Sequence, residues 1–147
     1  MEQPVRLKTD DAVAAAVSEA LMLKDFFPEF NAEHLQKLFP HSGLFQYEPE
    51  AVVMRQGDLG RDIFIVYFGG VRVQQAFGSM AAELAALGPG TLLGEMAMLK
   101  DGARTATVVA SMDSQIFRLD FQDLQYILKN NPPLGDHLRD LAKKRQG

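Results

Sequence analysis

Two short runs of this chain combine residue types that can hold an anion beside a hydroxyl group. The first is Gly94-Glu95-Met96-Ala97, and the second, ten residues beyond the glycine, is Arg104-Thr105-Ala106. A helical turn starting at Glu95 leaves its first backbone amides unpartnered within the turn and aimed at one point, which makes an anion site. Gly94 lets the backbone approach a ligand closely, and Arg104 adds a charge-assisted pair that can be bidentate. Glu95 would repel a bare phosphate, so the chemistry calls for a hydroxyl donor nearby, such as a ribose.

The order Gly-Glu-x-Ala then Arg-Thr-Ala, at this separation, resembles the phosphate-binding cassette of the cyclic nucleotide-binding domain. That domain is the module of catabolite activator proteins, of regulatory subunits of cyclic-nucleotide-dependent kinases and of cyclic-nucleotide-gated channels. The run Arg55-Gln56-Gly57-Asp58-x-Gly60 and the later Gly69-x-Val71 match further landmarks of the family, so the resemblance covers about Phe27 to Lys144. It implies that Arg104 pairs with the cyclic phosphate of cyclic AMP or cyclic GMP. It also implies that the Ala97 and Thr105 regions supply backbone and hydroxyl donors, and that Glu95 accepts from the ribose 2′-hydroxyl. In the resembling kinases a threonine after the arginine favours cyclic GMP, whereas channels with the same threonine respond well to cyclic AMP; Thr105 thus permits either base. One departure is Glu50, which stands after Pro49 where the family often has glycine.

These residues need elements to hold them. Met1 to Lys8 carries no periodic signal and reads as a loose arm. Thr9 or Asp10 can cap a helix over about Asp11 to Lys24, and Asn31 a second over Ala32 to Leu38. From Leu44 the pattern changes to short strands between turns: Leu44–Tyr47, Ala51–Arg55, Ile63–Phe68, Val71–Gln74, Val108–Ala110 and Gln115–Leu119. Such spacing predicts a barrel or sandwich, with Ala76 to Glu83 as a hairpin tip. Asp120 can cap a helix with the apolar face Phe121, Leu124, Ile127 and Leu128, ended by Asn130-Asn131-Pro132-Pro133. A last helix follows, with Leu134, Leu138 and Leu141 along one side and Lys143, Lys144 and Arg145 complementing its dipole at the end. The fold class expected is α+β, a jelly-roll-like antiparallel β-roll with N-terminal helices and two C-terminal helices. Its parts are an arm and helical bundle (1–43), the β-roll with the cassette at 92–107 (44–119), and hinge and lid helices (120–147), in one cooperative domain. Aligned in this way, Val53, Leu87, Leu93 and Val108 would wall a base pocket, with Leu134, His137 or Leu138 as lid.

Composition narrows the alternatives. At 147 residues, 47% of them apolar and 23% charged, the chain suits one soluble domain with one good core. A net charge of −4 argues against a general nucleic-acid binder. A helix-turn-helix after the last helix would need about seventy further residues, so no direct DNA binding is expected. There is no cysteine, which removes disulfides and thiolate zinc sites. The apolar run from Ala12 to Leu23 is too short to span a bilayer, and acids precede and interrupt it; a cytoplasmic location is expected. The three histidines (His34, His41, His137) lack metal-ligand spacing, and no nucleophile has a base beside it. The expectation is therefore a non-enzymatic, metal-free sensor that binds cyclic AMP or cyclic GMP. It would pass that event through its C-terminal helices to an effector, with a homodimer through the last helix as a possible assembly. The alternative is a domain of the same fold that takes no ligand and serves dimerisation or protein interaction.

Overall fold

Strands occupy the middle of the chain because β-branched and aromatic residues there alternate between Gly, Pro and Asp turns. The computed structural model describes residues 3–100 and 102–146. Met1, Glu2, Asp101 and Gly147, including the start of the expected arm and one cassette position, lie outside the described residues. Two antiparallel sheets form the β-roll. One has the order β1 (Val5–Leu7), β2 (Gly43–Tyr47), β9 (Ser114–Leu119), β4 (Ile63–Phe68), β7 (Leu92–Leu93). The other has the order β3 (Val52–Met54), β8 (Thr107–Ala110), β5 (Val71–Phe77), β6 (Met80–Leu87).

The first sheet is buried on both faces, which explains the continuous apolar run of β4. Phe64, Val66, Phe45, Tyr47, Leu93 and Ile116 turn into the roll, against Val71, Val108 and Ala110 of the second sheet. Ile63, Ile65, Leu44, Phe117, Leu119 and Leu92 turn the other way, onto the helices. Neighbouring Leu92 and Leu93 therefore serve two different cores, as strand alternation requires.

The helices form where capping residues precede apolar stripes. Asp10 accepts from the Val13 amide at 2.9 Å to start α1 (Asp11–Leu21), whose buried side is Val13, Ala14, Val17 and Leu21. Asn31 accepts from the His34 amide at 3.0 Å to start α2 (Ala32–Leu38), and the His34 ring accepts in return from the Asn31 amide. Asp120 accepts from the Gln122 amide at 2.8 Å to start α3 (Phe121–Asn130). The last helix, α4 (Pro132–Gln146), packs closely on α3 at Gly135, where a Cβ would lie 3.1 Å from the Leu128 Cα.

Three expectations need correction, and the departure at Glu50 resolves as strain. The arm is partly a strand, since β1 pairs antiparallel with β2 from Val5↔Gln46 to Leu7↔Leu44; three residues are too few to show a period. The first helix ends at Leu21, not Lys24, because Met22 turns left-handed (φ 53°) and its amide closes back on Glu19. The hairpin around Ala76 to Glu83 is mostly strand, with only Gly78-Ser79 at the tip between Phe77 and Met80. Glu50 does take positive φ (71°), at a cost of about 1–2 kcal/mol for a residue with a Cβ. Its amide donates to Ala110 O at 2.7 Å, and its carboxylate pairs with Arg72.

Buried polar contacts tie α3 to the turn before β2. The Asp123 carboxylate, 3% exposed as a residue, accepts from the His41 amide (2.9 Å), from His41 Nδ1 (2.8 Å) and from Ser42 Oγ (2.7 Å). Ser42 Oγ in turn accepts from the Asp120 amide at 2.9 Å. His41 and His34 thus each take part in a contact that holds the fold together.

Candidate functional site

Gly94 takes φ 80°, and a 3-10 turn runs directly from it over Glu95–Met98. The first bond inside that turn is from the Ala97 amide to Gly94 O at 3.2 Å. The amides of Glu95 and Met96 therefore precede the internal bonding, as at any helix start, while the Ala97 amide is already engaged. Arg104 is held from two sides. Its own amide donates to Asp58 O at 2.7 Å, and its carbonyl accepts from the Gly57 amide at 2.8 Å. Its guanidinium donates to Asp62 O through Nη2 at 2.6 Å and to Gly94 O through Nη1 at 3.5 Å. A Cβ on residue 94 would lie 2.7 Å from Arg104 Nη1 and 3.0 Å from Asp62 O. The glycine is therefore needed for backbone angle and for room alike.

Among the described residues, the guanidinium of Arg104 meets carbonyl oxygens and no carboxylate within ion-pair distance. Burial pushes its pKa below the usual arginine range, and the more distant carboxylates of Asp62 and Asp58 only partly oppose this. Such a half-buried guanidinium, whose direct partners among the described residues are carbonyls, has the chemistry to take an anion.

Arg104 opens on a cleft of about 630 Å³, within the size range of small-ligand sites. Gly94, Glu95, Met96, Ala97, Thr105 and Ala106 all line it. So do Leu87, Leu93 and Val108 of the expected base pocket. Val53 does not; Met54 takes its place. The cause is an irregularity in β3, where Val52 pairs with Val109 but Met54, not Val53, pairs with Val108. A one-residue slip exchanges the faces of a strand. Met54, Val108 and Val73 then form a cross-strand row through the pairs Met54↔Val108 and Val73↔Val108, and all three line the cleft.

The expected lid residues are elsewhere. Leu134 and Leu138 are fully buried in the core between the helices and the first sheet. His137 donates from Nε2 to Leu21 O at 3.0 Å and packs on the Phe26 ring, with centroids 5.0 Å apart. The part of α4 that lines the cleft is Arg145, whose Nε lies 3.7 Å from Glu95 Oε1. A signal for this existed, since Arg145 continues the Leu134, Leu138, Leu141 stripe by one more step of four. Asp62 is a second residue missed, and nothing in the local pattern marks it. Its carbonyl holds Arg104, while its carboxylate accepts from the Phe121 amide at the start of α3, at 2.8 Å. Lys100 also lines the cleft. Among the described residues there is no cluster of three or more His, Cys, Asp or Glu able to hold a metal ion. No helix among them is long and apolar enough to cross a membrane.

Comparison with known proteins agrees with this geometry. The Cyclic AMP receptor protein of Thermus thermophilus is 35% identical over 94 residues, covering 63% of this chain and 44% of that protein. Acetyltransferase Pat of Mycolicibacterium smegmatis is 30% identical over 121 residues, covering 82% of this chain and 36% of that protein. The chain thus spans less than half the length of either relative. The crystal structure of a cyclic nucleotide-binding domain from Methylobacillus flagellatus superposes with a TM-score of 0.77. The match covers 97% of this chain and 83% of that one at 24% identity, a likeness in fold. The family model of the cyclic nucleotide-binding domain matches residues 44–131, more than half of the chain, and includes strands β3 to β9. By that match, and by the cassette geometry that accompanies it, this chain belongs to the cyclic nucleotide-binding domain family.

Proposed function

We propose that this chain binds a cyclic nucleotide, cyclic AMP or cyclic GMP, in the cleft between Arg104 and the row Met54, Val108 and Val73. One observation carries the reading. Arg104 is a half-buried cation whose nearest partners are carbonyls, and Glu95 lines the same cleft. A cyclic phosphate on Arg104 and the amides following Gly94 supplies the missing negative charge. A ribose 2′-hydroxyl on Glu95 supplies the donor that a carboxylate at an anion site requires. The curated relative named as a cyclic AMP receptor supports the same ligand class. Thr105 is exposed on the cleft rim and leaves both bases open. Apolar walls discriminate weakly between purines.

The chain acts in this reading as a regulatory sensor for an effector, in the same polypeptide or another, in the cytoplasm, and not as an enzyme in its own right. The route outward is through Asp62. Phosphate capture draws on Arg104, which Asp62 O holds, and the Asp62 carboxylate caps the first turn of α3. Movement of α3 carries α4 with it, because the two pack closely at Gly135 and Leu128. Such a shift is worth only the ligand's differential affinity for the two states. A domain that has lost its ligand would be expected to have lost Glu95 or Arg104, and both are in place. The test is calorimetric titration of the purified chain with cyclic AMP and cyclic GMP. Heat of binding at one site per chain is the expected result, and no binding of either at millimolar nucleotide would refute the reading.

A further inference from the structure

The return arm of the cassette is held from the hairpin beside it. Strand β5 pairs with β8 as far as Gln74↔Thr107, where the backbone ladder between them stops. Two glutamine side chains take over beyond that pair. Gln75 Nε2 donates to Thr105 O at 3.0 Å. Gln56 Oε1 accepts from the Ala76 amide at 2.8 Å, and Gln56 Nε2 donates to Ala76 O at 3.2 Å. The Gln56 side chain thus gives Ala76 the donor and the acceptor that a neighbouring strand would supply. The Gln56 amide donates to Thr107 Oγ1 at 2.9 Å, and the Gly57 amide next to it donates to Arg104 O at 2.8 Å. One short segment therefore fixes the outer end of β5 and the base of the cassette arm together.

We propose that Gln75 is a positioning residue of the ligand site, which holds the backbone of Thr105, and through it Arg104 and Ala106, where a cyclic phosphate is to be met. The proposal rests on the ligand class proposed above and adds a residue that acts without touching ligand. Arg104, Thr105 and Ala106 line the cleft, whereas Gln75 stands outside its lining. Residues 103–106 lie in no helix or strand, so their placement depends on bonds made from outside. Arg104 is held on one side, by Asp58 O and the Gly57 amide. Thr105 is held on the other, by Gln75. Gln75 can anchor the arm because its own strand end is fixed, through the two bonds of Gln56 to the adjacent Ala76. An arm ordered in advance loses less freedom when the anion arrives, and the smaller cost appears as affinity. The bond itself lies at the surface, so the fold does not depend on it.

The test compares the wild-type chain with Gln75→Met and Gln74→Met. Methionine keeps the length of the side chain and removes the donor. Gln74 is the control, one residue earlier and so on the opposite face of β5. Each protein is titrated calorimetrically with cyclic AMP and unfolded in urea without nucleotide. Hydrogen exchange is followed at the amides of Thr105 and Ala106 and along β8. One neutral hydrogen bond corresponds to about a two- to tenfold change in an equilibrium constant. The expected result is a rise in Kd by that factor for Gln75→Met, with Kd at the wild-type value for Gln74→Met and the urea midpoints of both unchanged. Exchange at Thr105 and Ala106 should become faster in Gln75→Met, while exchange along β8 stays as in wild type. An unchanged Kd for Gln75→Met beside a wild type that binds overturns the proposal alone. An equal loss for Gln74→Met overturns it too, and so does a fall in the urea midpoint of Gln75→Met that accompanies its loss of affinity. Unchanged exchange at Thr105 and Ala106 overturns it independently of any titration. Absence of binding by the wild type overturns the functional reading itself, and the proposal with it.

Discussion

Replacing Arg104 with alanine separates the ligand-binding role of this side chain from its structural one. Its guanidinium donates to two carbonyls, Asp62 O at 2.6 Å and Gly94 O at 3.5 Å. Gly94 lines the cleft and Asp62 a second cavity that Arg104 also lines, so water can replace the lost donor. The substitution also removes the burial cost that pushes the arginine pKa down. These two effects oppose one another, and the unfolding free energy should change by less than about 1 kcal/mol, as for most partly exposed sites. Binding has no such compensation. A hydrogen bond to a charged group is worth about 1.5–3 kcal/mol net, which converts to about a ten- to hundredfold rise in Kd. Arg104→Lys should lie between wild type and alanine, because a point charge keeps the attraction but not the fork. The assays are calorimetric titration with cyclic AMP and urea unfolding without nucleotide. A Kd for Arg104→Ala within twofold of wild type would refute the assignment of the phosphate to this residue. A large loss of stability without ligand would show instead that Arg104 is chiefly a structural strap.

Three further substitutions probe the parts around it. Gly94→Ala forces φ 80° on a residue with a Cβ, costing about 1–2 kcal/mol, and places that carbon 2.7 Å from Arg104 Nη1; both urea stability and cyclic AMP affinity should fall, and an unchanged pair of values would contradict the geometry. Asp123→Ala leaves the His41 amide, His41 Nδ1 and Ser42 Oγ without their shared acceptor. Stranding buried donors costs about 1–3 kcal/mol, which urea unfolding should resolve. Thr105→Ala should weaken cyclic GMP more than cyclic AMP, by about the 0.5–1.5 kcal/mol of one neutral hydrogen bond. An equal loss for both nucleotides would place the hydroxyl on the phosphate alone.

Much of this molecule was determined by local chemistry that a sequence carries on its surface. Asp10, Asn31 and Asp120 stand immediately before apolar stripes, and each caps a helix, because capping needs only a side-chain oxygen and the next few amides. The strands of the roll followed from apolar runs between turn residues. Gly94-Glu95 and Arg104 were recognisable because their spacing spans one turn and one return loop, so local geometry already brings them near a common point. The family resemblance rested on the same residues, and the family match covers them.

Tertiary structure decided what depends on distant pairing. Whether Val53 or Met54 faces the cleft turns on an irregular register between β3 and β8, which neither strand records alone. The three residues of β1 become a strand only because β2 offers them an edge. Leu134 and Leu138 read as lid candidates, but burial depends on what lies opposite; the first sheet lies opposite, and they are core. Arg145 read as a charge at a helix end until the fold brought Glu95, fifty residues earlier, to 3.7 Å from it. An amphipathic stripe specifies which residues share a side of a helix, but only the packed chain specifies what that side meets.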